Sequence, residues 1–249
     1  MPQIPSNIIM QAAGINLVLA AVLFALRWVS VSGAIAGALI GFMIYVSMNW
    51  NGFAVMAVFV VVGSLVTKLG FGKKERLGGA QSEGGRRMAK HAAAKCLAGL
   101  VCSMAFLIYP SELLRIGYVA AFAAALADTT ATELGQLYGK RAVMLPSFRP
   151  AHPGTSGAIS LEGTVLGVIA AALLAGSALA LGLVKGLSAF VAVVIAAFLA
   201  TTFESLVGAS SLSLGRHRGQ WLNLLNTMVG AGIGMALAAI LSIFSQNLS

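Results

Sequence analysis

Apolar residues fill eight long segments of the chain, and short polar stretches separate them. The segments lie at 8–26, 31–48, 52–69, 93–109, 114–137, 157–181, 187–213 and 220–245. Each has about the 17 to 25 residues with which a helix crosses the hydrocarbon core, the ends of the longer ones lying at the interface. The pattern predicts an all-α membrane protein, a polytopic bundle of about eight transmembrane helices that forms one domain over residues 1–249.

The composition supports a membrane protein. Of 249 residues, 59% are hydrophobic and 9% are charged, whereas about 25% are charged in an average soluble domain. A soluble fold of this size could not bury so much apolar surface. Residues 1–7 contain no Lys or Arg, and the apolar run after them has no clear cleavage site, so we expect no removable signal peptide.

The positive charges indicate how the helices are oriented. If the segments alternate sides, fourteen of the sixteen Lys and Arg residues fall on one side, and only Arg115 and Lys185 fall on the other. The basic side is expected to be cytoplasmic, which places both termini outside. We therefore expect a protein of the bacterial inner membrane. The net charge of +9 needs no nucleic acid partner, because topology explains it.

Residues 70–92 form a basic cytoplasmic loop that is rich in Gly, Lys and Arg. It is expected to be either flexible or a short amphipathic helix. One interpretation is a solvated loop that fixes topology and attracts anionic lipid headgroups. The other is substrate binding. Cys96 and Cys102 lie in one apolar segment, and we interpret them as packing residues because no His and Cys cluster indicates zinc.

Glycines recur every four residues on two of the predicted helices. Gly33, Gly37 and Gly41 lie on the second helix, and Gly230 and Gly234 lie on the last. Small residues at this spacing let two helix backbones approach closely. The pattern predicts tight helix packing at both places.

Four acidic residues lie within or at the edge of apolar segments: Asp128, Glu133, Glu162 and Glu204. A charge at the centre of a membrane helix costs roughly 2.5 to 3.5 kcal/mol, so a functional role is the default hypothesis. The alternative is an acid near a helix end that reaches water, which suits Glu162 best. Asp128 and Glu133 point about 140° apart on a regular helix. Asp128 is therefore expected to meet an acid from another helix, and Glu204 is the natural candidate.

Residues 138–158 are predicted to form a cytoplasmic phosphate-binding loop. The preceding Gly135–Arg141 stretch is not a P-loop, because the glycine spacing is one residue short and no Ser or Thr follows Lys140. The polar run that leads into the sixth helix offers free backbone amides at a helix N-terminus, which suit a phosphate. An ordinary Pro and Gly turn is the alternative. The candidates are Lys140, Arg141, Arg149, His152, Gly154, Thr155, Ser156 and Gly157.

Two asparagines lie three residues apart on one face of the last helix. Asn223 and Asn226 are close to its predicted cytoplasmic end. Asparagine in a helix bundle often forms hydrogen bonds between helices. The other interpretation is that these amides contact a bound nucleotide or the ligands of a metal.

Together, these motifs resemble the phytyl-phosphate kinase family of the vitamin E pathway, which is related to transmembrane protein 19. The likeness begins by GSLVTK at 63–68 and covers about three quarters of the chain. The motifs are LADTTATELGQLYGKR at 126–141, PGTSGAISLEGT at 153–164, ESLVGA at 204–209 and NLLNT at 223–227.

The resemblance implies transfer of the terminal phosphate of a nucleoside triphosphate, with CTP as one candidate, to a membrane-embedded isoprenyl monophosphate. The product would be the diphosphate. Phosphoryl transfer depends on Mg²⁺ and on cations placed around the phosphates. Asp128 and Glu204 would then hold Mg²⁺, with Glu162 and Glu133 as further candidates. Lys140, Arg141 and the turn at 153–157 would hold phosphates, and the apolar tail would lie between helices.

The chain departs from the family pattern at two places. It has Gln220 where the family often has an acid before its Asn pair, and Lys90 or His91 where the family has an Asn. The alternative function is a transporter or flippase of isoprenoid phosphates, since acids within the membrane and cytoplasmic cations would serve it too. No clear inverted repeat supports a transporter. A structural membrane subunit would leave the acids unexplained.

Overall fold

The structure is a computed structural model that describes residues 4–76, 88–152, 155, 157–210 and 218–247, and only the backbone of 243–247. Seven of its helices are long and apolar enough to cross a membrane. The predicted all-α membrane bundle is therefore confirmed. The helices are α1 Ser6–Ala25, α2 Val31–Lys68, α3 Phe71–Arg76, α4 Ala89–Ile108, α5 Glu112–Tyr138, α6 Leu161–Ala180, α7 Gly186–Ala209 and α8 Arg218–Asn247.

Helix α2 contains two of the predicted segments and turns back on itself at Asn49. Asn49 has non-helical backbone angles, φ 55° and ψ −159°. Its flanks pair across the turn: the rings of Tyr45 and Phe53 are 5.8 Å apart, and a β-carbon on Gly41 would lie 3.0 Å from Cε of Met56. In a straight helix, residues 41 and 56 would lie about 22 Å apart, because each residue adds about 1.5 Å. Their contact therefore requires the chain to reverse at Asn49. Each half of α2 can thus make one crossing, which gives eight candidate crossings among the described residues. That both termini lie on the non-cytoplasmic side stays a prediction.

Helix α5 lies at the centre of the bundle. Every residue from 116 to 130 is buried, and α5 contacts α2, α4, α6, α7 and α8. Alanine dominates this stretch, and small side chains let the surrounding helices approach closely. Asp128 and Glu133 are consequently held in the interior of the protein.

The predicted tight packing at glycines is confirmed on the last helix. On the second predicted helix, the prediction is wrong for one position. A β-carbon on Gly230 would lie 2.7 Å from Cβ of Ala124, and one on Gly234 would lie 2.6 Å from Cβ of Ala120. Gly41 is in similar contact with Asn16 of α1. At Gly37, in contrast, an added β-carbon would have no atom within 4 Å, and the residue borders a cavity.

We expect Gly234→Ala to lower the free energy of unfolding by about 1 to 3 kcal/mol, because the added methyl group overlaps Ala120 and forces α5 and α8 apart. Gly232→Ala is the matched control. Gly232 is exposed on the same helix and has no atom within 4 Å of the new methyl group. Thermal unfolding in detergent measures both. Equal stability of the two variants would contradict close packing of these helices.

A small antiparallel sheet lies between α5 and α6, where the sequence predicted only a loop. Its strands are β1 Ala142–Met144, β2 Arg149–Ala151 and β3 Ala158–Ser160, in the order β2-β1-β3. The predicted segment 157–181 therefore begins as a strand, and its helix starts at Leu161. Of the basic loop 70–92, residues 71–76 form α3 and 89–92 begin α4, whereas residues 77–87 lie outside the described residues.

Candidate functional site

A cavity of about 680 Å³ lies inside the bundle, which is a usual size for a small-molecule pocket. Its polar end is lined by Lys95, Asp128 and Glu204, and its apolar arm runs between α1 and α2. The polar end is bounded by the C-terminal parts of α5 and α7 and by the N-terminal parts of α4, α6 and α8. The alternation of segments predicts that these helix ends lie on one side of the membrane. One cavity thus joins that side to the apolar interior.

Two acids from different helices meet at the polar end. The carboxyl groups of Glu204 in α7 and Asp128 in α5 lie close enough to interact, and both residues line the cavity. Oγ1 of Thr132 donates to Oδ1 of Asp128 at 3.4 Å. The structure therefore brings together the two acids that the sequence analysis expected to meet.

A lysine that the sequence analysis missed completes this cluster. Nζ of Lys95 donates to Oδ2 of Asp128 at 2.7 Å and to Oγ1 of Thr129 at 2.8 Å. Lys95 was counted only as a topological charge, although it lies inside an apolar segment, which was the available signal. With both acids ionised, Lys95, Asp128 and Glu204 carry one net negative charge. A cation or a proton at this point would balance that charge.

The cluster has the ligand chemistry that Mg²⁺ prefers. Magnesium is usually held by one or two carboxylates, with waters and substrate phosphates completing the shell. Asp128 and Glu204 supply two carboxylates beside a cavity that is large enough for such partners. Among the described residues, no group of three or more His, Cys, Asp or Glu could hold a metal ion. Waters and a substrate phosphate would complete such a shell.

Glu133 forms a separate, deeply buried ion pair. Its Oε2 accepts from Nζ of Lys74 in α3, and the two side chains are 3% and 0% exposed. The same ammonium group donates to the carbonyl oxygens of Val66, at 3.3 Å, and Thr67, at 2.7 Å, at the end of α2. Lys74 thus links α3 and the end of α2 to α5. Glu133 also borders the cavity that Asp128 and Glu204 line.

Glu162 does not join the other acids. It lies in the first turn of α6, where its Oε2 accepts the backbone N–H of Lys140 at 3.3 Å. It is absent from the cavity lining. The sequence analysis grouped it with the metal ligands because helix ends cannot be ranked by depth from sequence alone. In the structure, it links the end of α5 to the start of α6.

The predicted phosphate-binding loop only partly borders the cavity. Thr155 and Gly157 line it, whereas Gly154 and Ser156 lie outside the described residues. Gly157 has a φ of +81°, and a β-carbon there would overlap the backbone nitrogen of Ala209. The loop is therefore pressed against the end of α7. One amide of the expected cradle is already used, because Gly163 N–H donates to Oγ of Ser160 at 3.1 Å.

The cations of this loop face outward. Lys140, Arg141, Arg149 and His152 are exposed and do not line the cavity. They are carried by the end of α5 and by the small sheet, next to the polar end. Any contact with a phosphate in the cavity would require a ligand that extends out of its mouth.

The two asparagines of α8 differ in their surroundings. Asn223 lines the cavity, while Asn226 is fully buried outside it and donates from Nδ2 to the Ala124 carbonyl at 3.1 Å. Asn226 therefore joins α8 to α5, as the packing interpretation expected. Gln136 and Thr201 also line the cavity and were not predicted. Their oxygens Oε1 and Oγ1 are buried and make no hydrogen bond with any described residue.

Residues 14–219 match the family described as integral membrane protein DUF92. The chain belongs to this family. This match confirms the resemblance that the sequence motifs carry. The part of the DUF92 chain that matches includes Lys95, Asp128 and Glu204 and ends before Asn223.

Three relatives are similar to this DUF92 chain over most of its length. Protein VTE6, chloroplastic, of Arabidopsis thaliana is 35% identical over 225 residues, which are 88% of this chain and 65% of the relative. An uncharacterized membrane protein of Synechocystis is 35% identical, over 80% of this chain and 79% of its own. One of Methanocaldococcus jannaschii is 30% identical, over 82% and 84%. No solved structure matches the chain.

Proposed function

We propose that this protein is a membrane isoprenyl-monophosphate kinase. It transfers the terminal phosphate of a nucleoside triphosphate to phytyl phosphate or a similar prenyl phosphate and gives the diphosphate. The observation that carries this proposal is the single cavity that joins an apolar arm to the pair of Asp128 and Glu204. A substrate with an apolar tail and a charged headgroup matches both ends of that cavity.

The carboxylate pair is assigned to magnesium. Asp128 and Glu204 would hold Mg²⁺, which neutralises charge on the phosphates when it is bound. Lys95 holds the Asp128 carboxyl group in place through its 2.7 Å contact. With both acids ionised, these three groups carry one net negative charge and favour a bound cation over a bare anion.

The reaction needs no strong general base. The attacking atom is an oxygen of the prenyl phosphate, and a phosphate monoester has a second pKa of about 6, so that oxygen is already anionic at neutral pH. It forms a bond to the terminal phosphorus of the nucleotide while the bond to the nucleoside diphosphate breaks. Glu133 is therefore assigned to its ion pair with Lys74 and not to proton transfer.

The outward-facing cations are assigned to the nucleotide. Lys140, Arg141, Arg149 and His152 lie beside the polar end on the side predicted to be cytoplasmic. A nucleotide arriving from water would meet these residues first, with its terminal phosphate reaching toward Thr155 and Gly157 at the cavity wall. The similarity to the chloroplastic protein VTE6 supports a prenyl phosphate as the lipid. The location in a bacterial inner membrane, with the site facing the cytoplasm, is part of this proposal.

Turnover by the purified protein tests the proposal. The protein in nanodiscs, with Mg²⁺, phytyl or geranylgeranyl phosphate and each of the four nucleoside triphosphates in turn, is expected to form the prenyl diphosphate. Chelation of Mg²⁺ should stop the reaction. Absence of the diphosphate with every nucleotide and lipid would contradict a kinase. Nucleotide-independent movement of prenyl phosphate across liposomes containing the protein would instead support the transporter.

A further inference from the structure

The apolar arm of the cavity has a continuous hydrocarbon wall. Leu19 and Leu23 of α1, Gly37 and Ile40 of the first half of α2, and Phe59 of its second half line it. From Leu23 to Asn16, and from Gly33 to Ile40, the lining spans eight residues, or about 10 Å along each helix. The arm therefore extends from the polar end to the middle of α1.

A polar side chain marks the deep end of this arm. Asn16 lines the cavity at the middle of α1, and its Nδ2 donates to the Ala12 carbonyl at 2.8 Å. Its Oδ1 occupies the position that a β-carbon on Gly41 would need. This contact closes the space between α1 and α2 beyond Ile40. A hydrocarbon chain entering the arm would end against an amide.

Gly37 leaves part of the arm open. A β-carbon at Gly37 would have no atom within 4 Å, and this half-buried residue borders the cavity. A larger side chain there would displace no protein atom at its β-carbon and would extend into the space of the arm. Gly37 lies about halfway between the polar end at Gly33 and the deep end at Gly41.

We infer that Gly37 determines the length of isoprenoid tail that the protein accepts. This inference rests on the proposed function, since it identifies the occupant of the arm as the tail of the prenyl phosphate. The longer the tail, the more of it lies beside and beyond Gly37 on the way toward Asn16. A pocket discriminates hydrocarbon length by the apolar contacts it can offer, and one methylene group changes affinity roughly 10-fold or more.

A graded series at one position tests the inference. Gly37→Ala, Gly37→Leu and Gly37→Phe are compared for kcat/KM with geranyl, farnesyl and geranylgeranyl phosphate. We expect geranylgeranyl phosphate to lose at least about 10-fold in Gly37→Phe, farnesyl phosphate to lose less, and geranyl phosphate to lose least. The loss should grow from Ala to Phe. An equal loss with all three lipids, or no loss, would overturn the inference.

The matched control is Gly14→Phe. Gly14 is a glycine of α1 with no atom within 4 Å of a β-carbon, but it is exposed on the bundle surface and does not line the cavity. It tests whether a phenyl group on a neighbouring membrane helix is harmful in itself. We expect Gly14→Phe to keep the wild-type order of the three lipids. A matching change of lipid preference in Gly14→Phe would also overturn the inference.

A binding measurement separates this inference from the kinase proposal. Native mass spectrometry of the protein released from nanodiscs gives the relative occupancy of the three prenyl phosphates without turnover. If wild type forms no diphosphate but Gly37→Phe still shifts occupancy toward geranyl phosphate, the kinase proposal fails and the tail site stands. If wild type is an active kinase and occupancy does not shift in Gly37→Phe, the inference about Gly37 is wrong and the kinase proposal stands.

Discussion

Asp128→Asn is expected to lower kcat of prenyl phosphate phosphorylation by at least about 10²- to 10³-fold. The substitution keeps the size of the side chain and its approach to Thr132, but it removes the charge that Lys95 neutralises and that a magnesium ion would need. The remaining cluster would carry Lys95 and Glu204 with no net charge. Diphosphate formation at saturating lipid and nucleotide measures the effect, with the thermal unfolding midpoint as a check on folding.

Glu112→Gln is the matched control for this prediction. Glu112 also belongs to α5 and also forms an ion pair, with Arg115 at 3.4 Å, but it lies half-exposed at the opposite end of the helix. We expect its loss to leave kcat unchanged. A second comparison uses Glu204→Gln, which should raise the Mg²⁺ concentration required for half-maximal rate. Asp128→Asn protein with wild-type turnover, or Glu204→Gln protein with an unchanged Mg²⁺ requirement, would contradict the metal assignment.

The helices could be predicted from the sequence, whereas the small sheet could not. Long apolar runs carry a strong signal, and even the break at Asn49 falls between two predicted segments. Strands of three residues are too short to display an alternating pattern. Residues 142–156 therefore looked like a polar loop and the third strand like the start of a helix, whereas the strands depend on pairing with one another.

The acids of the site could be predicted, but the lysines could not. An acid in an apolar segment is costly enough to require a partner, and this led to Asp128 and Glu204. A lysine near a helix end is usually explained by its role in membrane orientation. For this reason the role of Lys95 in the site was not predicted. Lys73 and Lys74 are neighbours of the same type, yet one is exposed and the other is fully buried. The packing of α3 against α5 makes this difference. The residues around Lys73 and Lys74 in the sequence do not predict that packing.

Lys74→Met is expected to lower the free energy of unfolding by about 3 to 5 kcal/mol, the usual cost of removing one member of a buried ion pair. The change takes away the ammonium group that neutralises Glu133 and that donates to the Val66 and Thr67 carbonyls. Lys73→Met is the matched control, since Lys73 is exposed and donates only to the Leu137 carbonyl among the contacts shown. We expect it to cost about 1 kcal/mol or less. Thermal unfolding of both variants in the same detergent measures the difference.

A double substitution decides whether Glu133 is structural or catalytic. In Lys74→Met with Glu133→Gln, the buried charge is gone, so we expect at least half of the lost stability to return. Glu133→Gln alone should then be destabilised while its kcat per folded molecule stays within a few-fold of wild type. If Glu133→Gln is instead as stable as wild type and as inactive as Asp128→Asn, the carboxylate acts in the reaction. The assignment of Glu133 to a purely structural ion pair between α3 and α5 would then be wrong.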